Sequence, residues 1–392
     1  MLRAALLVAP SSFENFYVAQ LGLDRRKYVD EYRNDFVWSY VEALRAHDIE
    51  LLAYIASNRE RGLERAADGF MVRFLALPPI WRRLEPGIAL AKTPLERYAL
   101  EAGQAILLLP ELRRALTADR IDVLYVQEYW TGRFDALAHR SPVPVVAGEH
   151  GGSGGLQVHA FKRSSLARAA AITVQSSAEC RRLERYGCEA VRVTNGVDSD
   201  FYVPQAEVHR PRRVLVVARL LDAQKRISDV IAAVAKLPPP WALDIVGRGP
   251  DEAMLKALAE RHGCSERVAF HGWVSSREEL RSRYQRCGVF ALPSRWEAVT
   301  LALLEAMACG AAPVVTPLRP FVDVIRPGEN GILVPFGSPA ILAKMILRAY
   351  EERDQLGMEA RRTVEAGFSS RTTMAILARV LHSAAACDGG PR

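Results

Sequence analysis

Residues 294–310 of the chain read SRWEAVTLALLEAMACG, and they follow an apolar strand predicted at residues 289–292. Glu297 lies in the loop after that strand, and seven residues separate it from Glu305, which lies in a run of Ala, Leu and Met that predicts a helix. The run ends at Gly310, a residue type that commonly terminates helices, and another apolar strand follows. This order makes one βαβ unit with two carboxylates. Groups at the carboxyl ends of such parallel strands face the crevice where α/β proteins bind ligands.

Short apolar strands alternate with helical patterns along the whole chain, which is typical of parallel α/β sheets. A second series restarts after a polar, proline-bearing segment over residues 204–213. We predict two Rossmann-like domains that face each other across a cleft, residues 1–205 and residues 206–370. The predicted strands lie at residues 4–9, 50–56, 72–77, 123–127, 143–147, 171–174 and 191–193, and at residues 214–218, 243–246, 268–270, 289–292, 312–316 and 332–334.

One connection in the first half is much longer than an ordinary βα loop. Residues 10–33 separate the first strand from a helix predicted over residues 34–46, whereas such loops commonly have roughly two to six residues. The segment is rich in aromatic residues, namely Phe13, Phe16, Tyr17, Tyr28 and Tyr32. Long loops are commonly functional, so we predict an ordered loop that faces the substrate.

The composition excludes several classes of protein. The formal charge of +7 suits an anionic ligand, an anionic membrane surface or nucleic acid, and it equally suits a solvated basic surface. No zinc-finger or RNA-binding signature accompanies the basic residues, so we expect no nucleic-acid partner. None of the six cysteines forms a CxxC pair, which argues against structural zinc and redox sites. No stretch approaches the ~18 apolar residues of a membrane span. We expect a cytoplasmic monomer or homodimer with at most peripheral membrane contact.

Cations follow the first predicted strand of the second half. Arg219 lies directly after that strand, and Lys225 lies six residues later, just before a predicted helix. Two cations beside a helix N-terminus can bind a diphosphate, although such a pair in isolation is more often solvated. The next strand ends in Gly247 and Arg248, where glycine lets the backbone approach a ligand. No GxGxxG follows a strand, which disfavours a nicotinamide dehydrogenase.

Further polar groups follow other strands. Trp273 and Val274 follow a strand whose backbone could pair with a flat heterocycle, although a packed tryptophan is an equally good interpretation. In the first half, His150 lies in a glycine-rich loop at the end of a strand. A lone histidine is more often structural, but this position at a crevice edge favours a functional residue. The end of the preceding strand carries Glu128 and Tyr129.

The order of these signals is more specific than any one of them. Arg219 and Lys225, GRGP at 247–250, HGWV at 271–274, LPSRWE at 292–297, Glu305 with MACG, NGILV at 330–334 and VTNGVD at 193–198 together resemble glycosyltransferase family 4. The resemblance implies the GT-B fold and a retaining enzyme that uses a nucleoside-diphosphate sugar without a metal or other cofactor. It also implies that a C-terminal helix, residues 371–392, returns to the first domain.

The resemblance also implies roles for individual residues. Arg219 and Lys225 would bind the donor diphosphate, Glu305 the ribose hydroxyls and Glu297 the donor sugar. The implied catalytic residues are His150, Glu297, Arg219 and Lys225. The implied donor-binding residues are Arg219, Lys225, Gly247, Arg248, Trp273, Val274, Glu297, Ala298, Val299, Thr300, Leu301 and Glu305. On the acceptor side they are Phe13, Glu128, Tyr129, His150, Gly151 and Gly152.

The sequence departs from the family at several points, and other functions stay open. Ala298 stands where the family commonly has glycine, and Leu318-Arg319-Pro320 replaces a usual Gly-Gly. The donor is expected to be a UDP-sugar, and the acceptor a saccharide, a lipid-linked molecule or a small natural product. The alternatives are a sugar-nucleotide 2-epimerase, a phosphorylase of the same fold and a catalytically silent binding module.

Overall fold

The computed structural model describes residues 1–8, 12–33, 36–90, 93–150, 160–205 and 210–386. The chain divides into two compact units, one formed by residues 1–193 with 374–392 and the other by residues 194–373. The sequence places the boundary about twelve residues later, at 205/206. The difference has a physical cause, because Val197 and Tyr202 are buried in a core of the second unit.

The first unit is built on an eight-stranded sheet with the order β3-β4-β2-β1-β5-β6-β7-β8. Its strands are β1 (Leu2–Leu7), β2 (Ile49–Ser57), β3 (Gly62–Arg65), β4 (Met71–Ala76), β5 (Val123–Gln127), β6 (Val145–Gly148), β7 (Ala171–Val174) and β8 (Val191–Arg192). Its helices up to that point are α1 (Ala19–Leu21), α2 (Arg25–Asp30), α3 (Phe36–Arg45), α4 (Pro79–Leu90), α5 (Pro94–Ala118), α6 (Gly132–Ala138), α7 (Ala160–Arg168) and α8 (Ser177–Glu184). All described strand pairs are parallel except β3 with β4. The sequence misses β3 because its alternate side chains are exposed and form no apolar run.

Apolar side chains cover both faces of this sheet. Ala4 and Leu6 of β1 belong to one core, and Ala5 and Leu7 belong to another. Successive side chains of a strand point to opposite faces, so a continuous apolar run marks a strand that is buried on both sides. The run at the start of the sequence therefore predicts a central strand, and β1 lies between β2 and β5.

Residues 12–33, the described part of the long segment after β1, are ordered, but their aromatic side chains point into the core. It contains a short π-helix at Glu14–Val18, followed by α1 and α2. The ring of Phe13 is 1% exposed and lies 5.5 Å from Tyr28 and 5.1 Å from Phe74, centre to centre. Tyr28 is fully buried as well. The aromatic residues thus extend the core instead of lining a substrate-facing loop, because burying a large ring stabilises the fold.

The second unit is built on a six-stranded parallel sheet with the order β11-β10-β9-β12-β13-β14. Its strands are β9 (Arg213–Val217), β10 (Ala242–Val246), β11 (Val268–Phe270), β12 (Val289–Leu292), β13 (Ala312–Val315) and β14 (Ile332–Leu333). Its helices are α9 (Asp222–Lys225), α10 (Ile227–Lys236), α11 (Glu252–Arg261), α12 (Arg277–Arg286), α13 (Leu301–Ala308), α14 (Arg319–Val322), α15 (Pro339–Glu351) and α16 (Arg353–Gly367), with a 3-10 turn at Ser265–Arg267. The chain leaves β9 toward one edge and returns to start β12 on its other side. A crevice opens at such a reversal, where doubly wound proteins bind ligands.

The last helix, α17 (Ser370–Ala386), belongs to the first unit over most of its length. Met374, Leu377 and Leu381 are buried in the same core as β1. The residues beyond 386 lie outside the described part of the chain. Within the described residues, no helix combines the length and the apolar character that crossing a membrane requires.

Candidate functional site

Two residues of opposite charge meet at the reversal point of the second sheet. Lys225 ends α9, in the loop after β9, and Glu297 lies in the loop after β12. The Lys225 Nζ atom lies 2.5 Å from the Glu297 Oε1 atom, and the two side chains are 14% and 5% exposed. The sequence places each of them on a strand end, and the sheet order brings the two ends together. This pair places one cation and one carboxylate at the crevice of the second unit.

Backbone contacts hold the two loops together beside this pair. The Arg295 amide donates to the Gln224 carbonyl at 2.7 Å, and the Gln224 side-chain amide donates to the Trp296 carbonyl at 3.1 Å. Asp222 fixes the turn into α10 by accepting hydrogen bonds from the Ser228 amide at 2.8 Å and the Ser228 hydroxyl at 2.7 Å. Lys225 and Glu297 are therefore held in place from both sides of the crevice.

The two arginines that the sequence assigns to this site are exposed. Arg219 follows Ala218 at the end of β9, and Arg248 lies in the loop after β10. Among the described residues, no carboxylate lies within ion-pair distance of either guanidinium. Arginine presents several N–H donors in a fixed plane, which suits the binding of phosphate oxygens. Both positions thus offer cationic groups at the edge where Lys225 lies.

Glycines let the loop after β10 pack directly on the loop after β9. Gly247 has φ +139°, and a Cβ atom there would lie 1.9 Å from the Ala218 carbonyl oxygen. A Cβ atom on Gly249 would lie 2.3 Å from the Leu220 carbonyl oxygen. The Gly247 amide also donates to the Gly272 carbonyl at 2.8 Å, which ties the loops after β10 and β11 together. The glycines are thus explained by contacts between backbones.

Glu305 lies inside α13, as the sequence predicts, and tyrosine hydroxyls surround its carboxylate. The Tyr284 hydroxyl donates to Glu305 Oε2 at 2.8 Å, and the Tyr202 hydroxyl also bonds to this carboxylate. Burial raises the pKa of Glu305, whereas both hydroxyls and the charge of Arg277 act in the opposite direction. Neither tyrosine is predicted from the sequence, because Tyr284 lies on α12 and Tyr202 in the segment before β9, and neither belongs to a motif.

The start of α13 is fixed by two side chains. The Thr300 hydroxyl accepts a hydrogen bond from the Leu303 amide at 3.3 Å and so caps the helix, which begins at Leu301. Asn195 lies in the VTNGVD stretch, and its side-chain amide donates to the Val299 carbonyl at 2.7 Å. Ala298 is buried and is not among the described non-glycine residues with positive φ, so alanine is accommodated there without backbone strain.

Trp273 and Val274 follow β11 at the same edge of the sheet. The Trp273 side chain is 37% exposed, whereas the Val274 side chain is buried with Phe290 in a core of this unit. The packing fixes the backbone at Val274, while part of Trp273 stays exposed. Both interpretations offered by the sequence, a packed strand end and a backbone that meets a ligand, are therefore compatible with this position.

In the first unit, His150 lies two residues after β6 among aromatic rings. Its imidazole stacks on Phe36, with ring centres 4.7 Å apart, and lies 5.6 Å from the Tyr40 ring. Its Nε2 atom lies 3.1 Å from the Tyr125 hydroxyl. Burial lowers the pKa of His150 to about 3, so the ring is neutral at pH 7. Gly151 and Gly152 lie outside the described residues.

The remaining residues assigned to the acceptor side differ in accessibility. Glu128 directly follows β5 and has φ +63°, a conformation that the Cβ atom of a non-glycine residue disfavours. The Tyr129 side chain is buried, and its hydroxyl donates to Glu179. The buried Lys162 ammonium donates to the Tyr129 carbonyl at 2.7 Å and holds this turn in place. Phe13 belongs to the core, so its side chain contributes packing here instead of an accessible surface.

The described residues contain no group of three or more His, Cys, Asp or Glu side chains arranged to hold a metal ion. Positive charge at the crevice of the second unit is supplied by Arg219, Lys225 and Arg248. The carboxylates of Glu297 and Glu305 instead contact an ammonium group and hydroxyl groups. This arrangement can bind a ligand that carries both anionic oxygens and hydroxyl groups.

Two family models match consecutive parts of the chain. Residues 200–367 match the model described as Glycosyl transferases group 1, and residues 34–196 match the Glycosyl transferase 4-like domain. A GDP-mannose:cellobiosyl-diphosphopolyprenol alpha-mannosyltransferase of Xanthomonas oryzae pv. oryzae is 29% identical over 187 residues, which cover 46% of this chain and 48% of that protein. The chain spans about half the length of curated relatives such as this one.

Solved structures resemble the chain over nearly its whole length. The sucrose-phosphate synthase of Thermosynechococcus elongatus has a TM-score of 0.75 at 17% identity and covers 97% of this chain and 98% of its own. HepE of Anabaena, solved in complex with UDP, has a TM-score of 0.68 at 17% identity and covers 98% of this chain and 100% of its own. At these identities the likeness concerns the fold.

Proposed function

The chain has the GT-B fold and belongs to the GT4-type glycosyltransferases, and from this premise we propose that it transfers a sugar from a nucleoside-diphosphate sugar to an acceptor hydroxyl with retention at the anomeric carbon. The single observation that carries the proposal is the contact of 2.5 Å between Lys225 and Glu297 at the reversal point of the second sheet. Ligands of doubly wound proteins bind at that point. The pair offers a cation for the diphosphate beside a carboxylate for sugar hydroxyls.

The chemical barrier in such a transfer is the departure of a diphosphate from a sugar carbon that develops positive charge. Arg219 and Lys225 would stabilise the negative charge that grows on the leaving group, whereas the Ser228 amide at the start of α10 already donates to Asp222. Preorganised donors of this kind typically contribute about 3–4 kcal/mol each to lowering the barrier. Two fixed cations can do this work, so we propose a reaction without a metal ion.

The two carboxylates would bind the hydroxyl groups of the donor. Glu305 would accept hydrogen bonds from the ribose hydroxyls, and Glu297 would contact the transferred sugar and share Lys225 with the diphosphate. The backbone at Val274 would meet the base, with the exposed face of Trp273 next to it. His150 would lie beside the transferred sugar as a neutral hydrogen-bonding group.

The identities of the donor and the acceptor are further proposals, supported by the relatives and structural neighbours of the chain. We propose a UDP-sugar first, because the family commonly uses one and the structural neighbour HepE was solved with UDP. GDP-mannose is the second choice, because the matched mannosyltransferase uses it and acts on a diphosphopolyprenol-linked acceptor. A lipid-linked or free saccharide therefore has more support as acceptor than a small natural product.

The first experiment is a donor panel with the purified protein. Binding of UDP-glucose, UDP-galactose, UDP-N-acetylglucosamine and GDP-mannose is measured by thermal shift, since a ligand at 100 times its dissociation constant adds about 2.7 kcal/mol of stability. Turnover of the bound donor is then compared between the wild type and the variants Lys225→Ala and Glu305→Gln. Lys236→Ala and Glu260→Gln are matched controls, because both side chains are exposed elsewhere on the second unit.

Each outcome has a definite meaning. Loss of turnover by 100-fold or more in Lys225→Ala, with both controls unaffected, supports the site, since one preorganised donor is worth about that much. Full activity of both site variants with every donor that the wild type uses would refute the assignment. NMR of the anomeric proton in the product tests retention.

The alternative function, a sugar-nucleotide 2-epimerase, is checked in the same samples. Neither the matching family models nor the mannosyltransferase relative favours it. An epimerase converts its donor without any acceptor, so the spectrum of the donor incubated alone with the enzyme separates the two activities. A product that requires an acceptor supports the transferase.

A further inference from the structure

A chain of hydrogen bonds in the first unit ends at His150. Its Nε2 atom lies 3.1 Å from the Tyr125 hydroxyl, and that hydroxyl lies 3.0 Å from Thr173 Oγ1. Thr173 Oγ1 in turn lies 3.2 Å from the carbonyl oxygen of Ala147. Tyr125 stands on β5, Ala147 on β6 and Thr173 on β7, three neighbouring strands. The order of the strands therefore brings the Tyr125 hydroxyl and Thr173 next to each other beside the imidazole.

The chemistry of the groups sets the direction of the protons. A hydroxyl has one proton, and a carbonyl oxygen only accepts. Thr173 donates to Ala147, so its oxygen accepts from Tyr125. The only hydroxyl proton of Tyr125 is then committed to Thr173, and its oxygen accepts from His150. The reverse direction would leave the contact between Thr173 and Ala147 without a proton. All three bonds form only when the His150 proton is on Nε2.

We propose that Tyr125 and Thr173 are positioning residues that hold His150 in its Nε2-protonated form, so that Nδ1 is a hydrogen-bond acceptor for a bound molecule. Nδ1 is buried and has no hydrogen-bond partner among the residues that the structure describes. An acceptor that is buried without a partner is unfavourable, and a ligand that donates to it removes that cost.

The packing around the ring keeps it in this orientation. Phe36 stacks on the imidazole at an interplanar angle of 28°, and the Tyr125 ring meets its edge at 67°. The Tyr125 ring itself occupies space that exists only because residue 148 is glycine. A Cβ atom on Gly148 would lie 2.7 Å from the tyrosine ring. The groups that face the imidazole from α3 are Phe36 and Tyr40, which bring no charge to it.

For a saccharide ligand, whose presence rests on the proposed function, the tautomer of His150 restricts which group can face Nδ1. If a saccharide lies beside His150, the group that faces Nδ1 has to be a donor, such as a hydroxyl. A deoxyfluoro analogue at that sugar position accepts but does not donate. It should therefore be turned over less efficiently than the natural sugar, by about tenfold for one hydrogen bond.

The test is the tautomer of His150 in the full-length protein, read from the nitrogen-15 shifts of its imidazole. A His150→Gln variant assigns the resonances. In the wild type we expect a pyrrole-like Nε2 and a pyridine-like Nδ1. Thr173→Val removes the acceptor for the Tyr125 proton, so Tyr125 donates to Nε2 and the tautomer reverses. Thr173→Ser keeps the hydroxyl and is expected to keep the wild-type spectrum. Tyr125→Phe removes the preference for either form.

Activity provides a second readout in the same variants. Catalytic efficiency should fall about tenfold in Thr173→Val and recover in Thr173→Ser, in step with the tautomer. A wild type that carries its proton on Nδ1, or a Thr173→Val variant with an unchanged spectrum, overturns the proposal. A wild type without activity on any donor refutes the proposed function instead, and the spectra still decide the tautomer.

Discussion

At the scale of single residues, the ionisation of Glu305 depends on groups that donate to its carboxylate. Burial acts to protonate this side chain, and the hydroxyls of Tyr284 and Tyr202 oppose that effect by favouring the charged form. A ribose hydroxyl donates its proton most strongly to a charged carboxylate. The tyrosines therefore extend the pH range over which Glu305 can bind a nucleotide in the proposed site.

Replacing Tyr284 by phenylalanine tests this dependence. Without its hydroxyl, the pKa of Glu305 rises further, so the acid limb of the activity profile moves to higher pH. Below that limb Glu305 is protonated, and the ribose hydroxyl loses its charged acceptor. Donor affinity should then fall by about tenfold or more, because a hydrogen bond to a charged group is worth about 1.5–3 kcal/mol. The measurement is catalytic efficiency as a function of pH.

Tyr350→Phe is the matched control for this variant. Its hydroxyl donates to the Arg210 carbonyl at 3.0 Å, away from Glu305. The control loses one tyrosine hydrogen bond in the same unit and should keep the wild-type profile. Superimposable acid limbs for Tyr284→Phe and the wild type would argue against a role for the tyrosine in the ionisation of Glu305.

At the scale of elements, the crevice of the second unit depends on how closely its loops approach one another. The loop after β10 lies against the loop after β9 at a distance that only glycine allows at residues 247 and 249. The end of α13 is held by side chains instead, because Arg210 donates to the Cys309 carbonyl and Arg361 donates to the Ala308 carbonyl. Cations at a helix C-terminus also interact favourably with its dipole.

Gly247→Ala should disturb the crevice more than the fold. A Cβ atom 1.9 Å from the Ala218 carbonyl and a φ of +139° force the two loops apart. We expect a loss of about 1–3 kcal/mol of stability from the strain, together with loss of donor binding. Chemical denaturation and calorimetric titration with the donor measure these effects separately.

The control for this glycine is Gly367→Ala. A Cβ atom on Gly367 would meet nothing within 4 Å, and the residue ends α16 in the same unit. Its stability and donor affinity should stay near those of the wild type. Equal donor affinity in Gly247→Ala and Gly367→Ala would indicate that close packing of the loops is unimportant for binding.

At the scale of the whole molecule, the last helix links the end of the chain to the core of its beginning. Side chains of α17, among them Leu377, Leu381 and Ala384, are fully buried in the core that also contains Ala4 and Leu6. The first unit therefore cannot complete its core until the second unit has been synthesised, because residues 194–373 precede this helix in the chain.

Leu381→Ala should destabilise the first unit selectively. Truncating a fully buried leucine costs about 2–5 kcal/mol, depending on how far the surroundings relax. Two units need not unfold together, so a single midpoint is a poor measure. Hydrogen exchange is measured on individual peptides of the variant and the wild type. Relative to the wild type, exchange should accelerate more in β1 and β2 than in β9 and β12. Arg379→Ala on the exposed side of the same helix is the control, and equal exchange rates in the two variants would contradict the prediction.

The sequence alone determines much of the second unit. β11 and β12 have the predicted bounds, and α13 carries Glu305 and ends before Gly310 as predicted. The two matching family models describe glycosyl transferases, in agreement with the resemblance that the motif order shows. These features are local, because a buried strand needs an apolar run and a helix end needs a residue that tolerates positive φ. Such local features can be predicted from residues that are neighbours in the sequence.

The tertiary structure decides what depends on distant residues. The pairing of Lys225 with Glu297 joins positions 72 residues apart, and no pattern in either loop predicts it. The sequence predicts a substrate-facing loop for the aromatic segment after β1. In the structure its rings point inward, and Phe13 packs against Phe74. Tyr202, Tyr284, Tyr125 and Thr173 belong to no motif, and only the tertiary structure brings them to their partners. These side chains acquire their roles because the fold brings distant residues close together in space. The sequence by itself does not show which residues become neighbours in this way.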